Sequence, residues 1–210
     1  MVAFSETQKT FLAILPKIAS SLSMAGSTAI LVECFHYNRS RLHLVHHRIL
    51  CLMAIFDLIE SPWNFVSTWA MPAESGERFT AGNEISCTVQ ALFLQTGVSV
   101  VILNAFLSWY YLLVIRYSWT EEKIKGKAEP WIYGITLLFS LGTAIAGIPL
   151  NLYYPANLWC WIGSDADPPT NNYLIYRVAF YYGPLLFSTV VIIVNTAILV
   201  WTVRQIEGKS

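Results

Sequence analysis

The chain has 210 residues, of which 55% are hydrophobic and 12% charged, with a mean hydropathy of +0.51 and equal numbers of acidic and basic side chains. That leaves too little polar surface for a soluble globule and too many long apolar runs for one small core, so the composition is that of an integral membrane protein. A net charge of zero offers no basic surface for nucleic acid, and the charges become informative only through the loops that hold them.

Residues 1–10 carry no positive n-region and no small-residue cleavage site before the first apolar run, which therefore reads as an uncleaved signal anchor. Five segments predict spanning helices, at roughly 12–35, 48–71, 86–117, 130–150 and 173–203, each near or above the minimum of about 20 residues. No soluble domain fits between them. The expected fold is an all-α, five-helix membrane bundle making one domain of residues 1–210. In the first segment Lys17 can snorkel to the interface, and Ala19, Ser23, Gly26 and Ser27 make a slim surface for a neighbour.

The second segment is costly. Asp57, Glu60, Ser61, Asn64 and Thr68 fall on one helical stripe, and an ionised, unpaired acid in hydrocarbon costs about 2.5–3.5 kcal/mol or more. Pro62 is expected to bend the helix beside them. The third segment is apolar yet polar on two faces: Thr88, Gln95 and Ser99 on one, Gln90, Asn104, Ser108 and Tyr111 on the other. Polar side chains in lipid lack partners, so this helix belongs in the middle of the bundle. Counted inward at 1.5 Å per residue, Asp57 and Glu60 reach a depth of roughly 13–18 Å, the depth of Asn104 and Ser108. An intramembrane cluster of Asp57, Glu60, Asn64, Asn104 and Ser108 is therefore expected. Two readings stay open, a buried hydrogen-bond network or a cation or proton site whose occupancy changes as the bundle switches.

Glu129-Pro130 opens the fourth segment, with Thr136, Ser140, Thr143 and Gly147 as its slim face. The fifth carries Gly183-Pro184, a kink signal, and Asn195 nearer its end. Arg39, Arg41, Arg48, Arg116, Lys123, Lys125, Lys127, Arg204 and Lys209 fall on one side of the membrane, against Lys9, Lys17, Arg78 and Arg177 on the other, which predicts the N-terminus outside and the C-terminus in the cytoplasm. The sequon Asn38-Arg39-Ser40 then sits in a cytoplasmic loop and stays unmodified. Cys87 and Cys160 lie on the outer side, where oxidising conditions favour a disulfide over two buried thiols; Cys34 and Cys51, near the inner face, are expected to stay reduced.

His43-x-x-His46-His47 has the spacing of one histidine box of membrane di-iron enzymes, but all four histidines, with His36, sit in one short loop and leave such a centre short of ligands. No Gly-rich phosphate loop, zinc-protease helix or nucleophile elbow occurs, so the sequence argues for neither catalysis nor a cofactor.

A cysteine opening the third segment, another in the next outer loop, Arg116-Tyr117 closing the third segment and a proline in the fifth together resemble the seven-helix G-protein-coupled receptors. Asp57-Leu58, Cys87 with Gln90, the run NAFLSWYYLLVIRY, Glu129-Pro130 and Cys160-Trp161-Ile162 narrow the resemblance to the cyclic-AMP-receptor-like group. The resemblance implies a plasma-membrane protein with an extracellular ligand pocket near Gln95, Ser99, Trp159 and Tyr181, roofed by the loop that Cys160 ties down. It also implies that Arg116 and Tyr117 face a heterotrimeric G protein, with the loop SWTEEKIKGKAE beside them, although an inner-side anchor explains Arg116 equally well. Arg116 follows Ile115, so the acidic-Arg-Tyr triplet of rhodopsin-like receptors is absent. With Ser210 just past the fifth segment, the family's helices six and seven are expected to be missing, which leaves open an incomplete sequence, a truncated isoform, or a protein in which a partner chain or second copy covers the third and fifth helices. The competing expectation is a small transporter or ion-conducting protein that uses Asp57 and Glu60; a membrane oxidoreductase built on the His43 loop ranks third.

Overall fold

The computed structural model describes residues 6–37, 39–76, 79–156, 158–164 and 172–208. Four of its helical runs are long and apolar enough to cross a membrane: Thr7–Tyr37, Val45–Ala70, Glu84–Ile115 and Tyr173–Glu207. A helix bonds its own backbone donors and acceptors, which is why apolar runs adopt it where water is absent. The sequon asparagine Asn38 and the charges Glu77, Arg78, Asp165, Asp167 and Lys209 lie outside the described residues.

The first run is an α-helix, α1 (Glu6–Val32), that ends in a π-helical turn, Glu33–Tyr37. Helix α2 (Val45–Val66) holds Pro62 and stops at Ser67, whose φ of 49° breaks the helical path before a 3₁₀ turn, Ser67–Ala70. Lys17 of α1 does not end free in solvent. Its Nζ donates to the carbonyls of Phe65 (2.8 Å) and Val66 (3.1 Å) at the C-terminus of α2, where the helix dipole favours a cation, and lies 3.7 Å from the Trp69 ring centroid.

The third run divides at Gly97 into α3 (Glu84–Thr96) and α4 (Val98–Ile115). Its start is fixed by a reciprocal cap: Asn83 Oδ1 accepts from the Ser86 N–H (2.9 Å) while Ser86 Oγ accepts from the Asn83 N–H (2.8 Å). A short helix follows, α5 (Glu121–Lys127), capped by the Thr120 side chain, with two acids in its first turn and lysines in its last. Helix α6 (Glu129–Ala146) carries Pro130 in its first turn. At 18 residues it is about 27 Å long, slightly less than a hydrocarbon core, and residues 147–151 continue as turns.

Strands β1 (Tyr153–Pro155) and β2 (Cys160–Ile162) form an antiparallel hairpin that pairs Tyr154 with Trp161. After it come α7 (Tyr173–Arg177), a π-helical turn (Val178–Tyr182) and α8 (Gly183–Glu207). The Gly183-Pro184 pair thus marks the passage from π to α geometry. Tyr153 anchors the hairpin: its buried hydroxyl donates to the Ala144 carbonyl (2.5 Å), burial pushes its pKa upward, and a side chain on Gly147 would overlap its ring.

Helix α1 packs along α2, and α8 along α4; α3 touches α2, α6 and the hairpin. Two apolar cores result. One, around Met71, Cys87, Ala91, Leu152 and Ile162, lies at the hairpin end. The other, around Ile49, Phe56, Leu103, Leu113, Ile124 and Ile132, seats α5 against α2, α4 and α6 at the opposite end.

Candidate functional site

Helix α3 presents a ladder of residues to the hairpin. Cys87 is disulfide-bonded to Cys160, with Cα atoms 5.1 Å apart. One turn on, Gln90 is fully buried with every bond used for bracing. Its Nε2 donates to the Trp63 and Ser67 carbonyls (2.9 and 2.8 Å) and its Oε1 accepts from the Cys160 N–H (2.8 Å). Gln95 repeats the arrangement lower down, accepting from Trp161 Nε1 (3.0 Å) and donating to the Phe180 carbonyl (3.0 Å) and Thr143 (3.3 Å). Gln95 therefore holds Trp161 and the π-helical turn before α8 in place, with both amide protons used and the side chain fully buried. Ser99, also buried, donates to the Thr96 carbonyl at 2.7 Å.

The ladder supports a cavity of about 180 Å³ lined by Glu60, Asn64, Leu94, Trp159, Trp161, Tyr181 and Tyr182. Two of the four expected pocket residues, Trp159 and Tyr181, line it; Gln95 backs the wall residue Trp161, and Ser99 is not at the cavity. Trp161, Tyr181 and Tyr182 meet with ring planes 83°, 86° and 85° apart and centroids 5.1–6.0 Å apart, like three walls of a box corner. Asn64 Nδ2 donates to Glu60 Oε1 (3.0 Å), while Oε2 receives no hydrogen bond from the described residues. Arg177 closes Trp161 from the loop side, 5.4 Å from its centroid, with its Nε donating to the Ile162 carbonyl (2.6 Å). A larger groove, about 620 Å³, runs between α4, α6 and α8 past Phe106, Trp109, Phe139 and Phe187, but it is apolar almost throughout and suits acyl chains.

The expected intramembrane cluster divides into three separate groups. Asp57 turns to α1, where it accepts from Ser23 (2.8 Å to each oxygen) and Ser27 (2.6 Å). Glu60 and Asn64 face the cavity. Ser108 accepts from Asn195 Nδ2 (2.9 Å), which ties α4 to α8, and Asn104 is exposed.

At the opposite end a polar network joins four elements. Arg48 grips the buried Glu129 with two charge-assisted bonds of 2.6 Å. Tyr110 donates to Glu121 Oε1, the other Glu121 oxygen accepts from the Val45 N–H (3.0 Å), and His46 Nδ1 lies 3.1 Å from the Tyr110 hydroxyl. Arg116 is exposed with its guanidinium 5.0 Å from the centroid of the Trp201 ring on α8, and Tyr117 is exposed beside it. His43 Nδ1 contacts the Ser40 carbonyl (2.6 Å), within its own turn.

Sequence reasoning missed Trp161 and Tyr182 as cavity walls, and Arg48, Tyr110, Glu121 and Glu129 as a network. A signal existed for some: Thr120-Glu-Glu-Lys is a helix start, and Trp161 alternates with the two buried ends of β2. Among known proteins, no family model and no curated sequence matches the chain.

Proposed function

We propose that this is a receptor-type membrane protein that takes a small extracellular ligand beneath its disulfide-tied hairpin and passes its occupancy to a heterotrimeric G protein at the α5 end. In this reading α6 is a fifth span, the N-terminus and hairpin are outside, and α5 and the C-terminus are cytoplasmic. The single observation that supports it best is the cavity itself. It is concave, it is walled by aromatic rings with convergent polar groups, and it lies against α3, the first half of the third run, whose second half, α4, carries Tyr110 and ends at Arg116. Charge placement supports the orientation, since Arg39, Arg41, Lys123, Lys125 and Lys127 gather at the α5 end.

The transporter reading has less in its favour. Asp57 and Glu60 belong to different networks, and Asp57 is held by two serines of α1.

The test is binding of purified heterotrimeric G protein to the chain reconstituted in lipid nanodiscs. After enzymatic removal of nucleotide, the G protein should be retained and then released by a non-hydrolysable GTP analogue. Absence of nucleotide-sensitive retention would reject the signalling reading.

A further inference from the structure

The walls of the hairpin cavity carry information about what fills it. We propose that it binds a small organic ammonium ion, held between the faces of Trp161, Tyr181 and Tyr182 and the carboxylate of Glu60; this rests on the cavity being the ligand site. An aromatic ring presents a negative face, and rings set at right angles around one space favour a cation from several directions at once. Glu60 supplies the matching charge: Asn64 engages one of its oxygens, the other is free of hydrogen bonds from the described residues, and among the described residues no other charged side chain lines the space. Arg177, at the end of α7, is not among the residues that line the cavity, and its Nε donates to the Ile162 carbonyl. At about 180 Å³ the site is smaller than the roughly 300–1,000 Å³ of drug-sized pockets, so the occupant is a compact amine or quaternary ammonium.

Leu94 lines the cavity without belonging to the cage and is otherwise buried, which makes it a reporter. In the full chain in nanodiscs, with Cys34 and Cys51 replaced by serine, Leu94→Cys would be labelled by three methanethiosulfonates: neutral methyl, cationic trimethylammonium-ethyl and anionic sulfonatoethyl. Each rate is normalised to that reagent's rate with a free thiol. The proposal expects labelling by the neutral reagent, a preference of at least about tenfold for the ammonium over the sulfonate reagent, and loss of that preference in Glu60→Gln. It further expects choline to protect the thiol at concentrations at least about tenfold lower than its uncharged isostere 3,3-dimethylbutan-1-ol. Neutral labelling without charge preference, or a preference that survives Glu60→Gln, would overturn the ammonium assignment and leave the cavity as a ligand site. No labelling by any reagent, in a chain that labels once unfolded, would overturn both. Trp159→Cys, at another wall, gives the same readout should Leu94→Cys not fold.

Discussion

The Glu60 carboxylate occupies the space that a side chain on residue 97 would need: a methyl group added to Gly97 would overlap its oxygens. The break between α3 and α4 thus sits where an acid of α2 leans against the third run, and glycine there makes room for it. Gly97→Ala is expected to push Glu60 aside at a cost of about 1–3 kcal/mol. Glu60→Ala should remove most of that cost, so a thermal-unfolding double-mutant cycle should show strong coupling between the two positions.

The Cys87–Cys160 bond closes a sequence separation of 73 residues. Chain-entropy reasoning gives about 4 kcal/mol for a loop of that length, less where membrane insertion already confines the unfolded chain. Reductant should therefore lower the unfolding temperature of the native protein and leave a Cys87→Ser/Cys160→Ser double variant unchanged.

Gln90 donates to two carbonyls and accepts from one N–H, and the bonds to the Ser67 carbonyl and the Cys160 N–H are buried. Gln90→Leu keeps most of the volume but strands the buried Cys160 N–H and takes a bond from each carbonyl, at about 1–3 kcal/mol each, and should destabilise the chain more than loss of the disulfide. Ordered unfolding temperatures of the two variants check this.

Arg48 and Glu129 form a paired charge 81 residues apart in sequence, with Glu129 buried. Arg48→Met alone or Glu129→Leu alone leaves an uncompensated charge and should cost about 3–5 kcal/mol, whereas the double change should be near neutral. Expression and thermal stability of the three variants give the comparison.

Tyr110 holds α5 through Glu121. Tyr110→Phe should free one oxygen of that carboxylate, leaving the Val45 N–H as its remaining tether, and raise hydrogen exchange across residues 121–127 while leaving α6 protected, as measured by mass spectrometry.

The apolar runs were legible because lipid imposes a length and a composition on each helix, and the cysteine pair because Cys87 and Cys160 fall at the opposite ends of their segments from Cys34 and Cys51. Helical periodicity placed Asp57 on a polar stripe but could not say which neighbour that stripe meets. Ser23 and Ser27, visible only as a slim surface, turned out to be its donors. Depth counting brought Asn104 and Ser108 level with the acids, yet their azimuth around α4 faces elsewhere, so one expected cluster became three. The Arg48–Glu129 pair had no local signature at all, because nothing near either residue encodes a contact that only the packed bundle creates. Gln95 was legible as polar and central, but its role is to hold Trp161, and that depends on where β2 lands.

The side of the membrane that the hairpin faces decides whether the cavity can take an extracellular ligand. In intact cells expressing chains without Cys34 and Cys51, a single cysteine replacing exposed Glu74, in the loop beside the hairpin end, should react with a membrane-impermeant maleimide. One replacing exposed Lys125 in α5 should react only after permeabilisation. The reverse pattern would put the cavity on the cytoplasmic side and contradict an extracellular ligand.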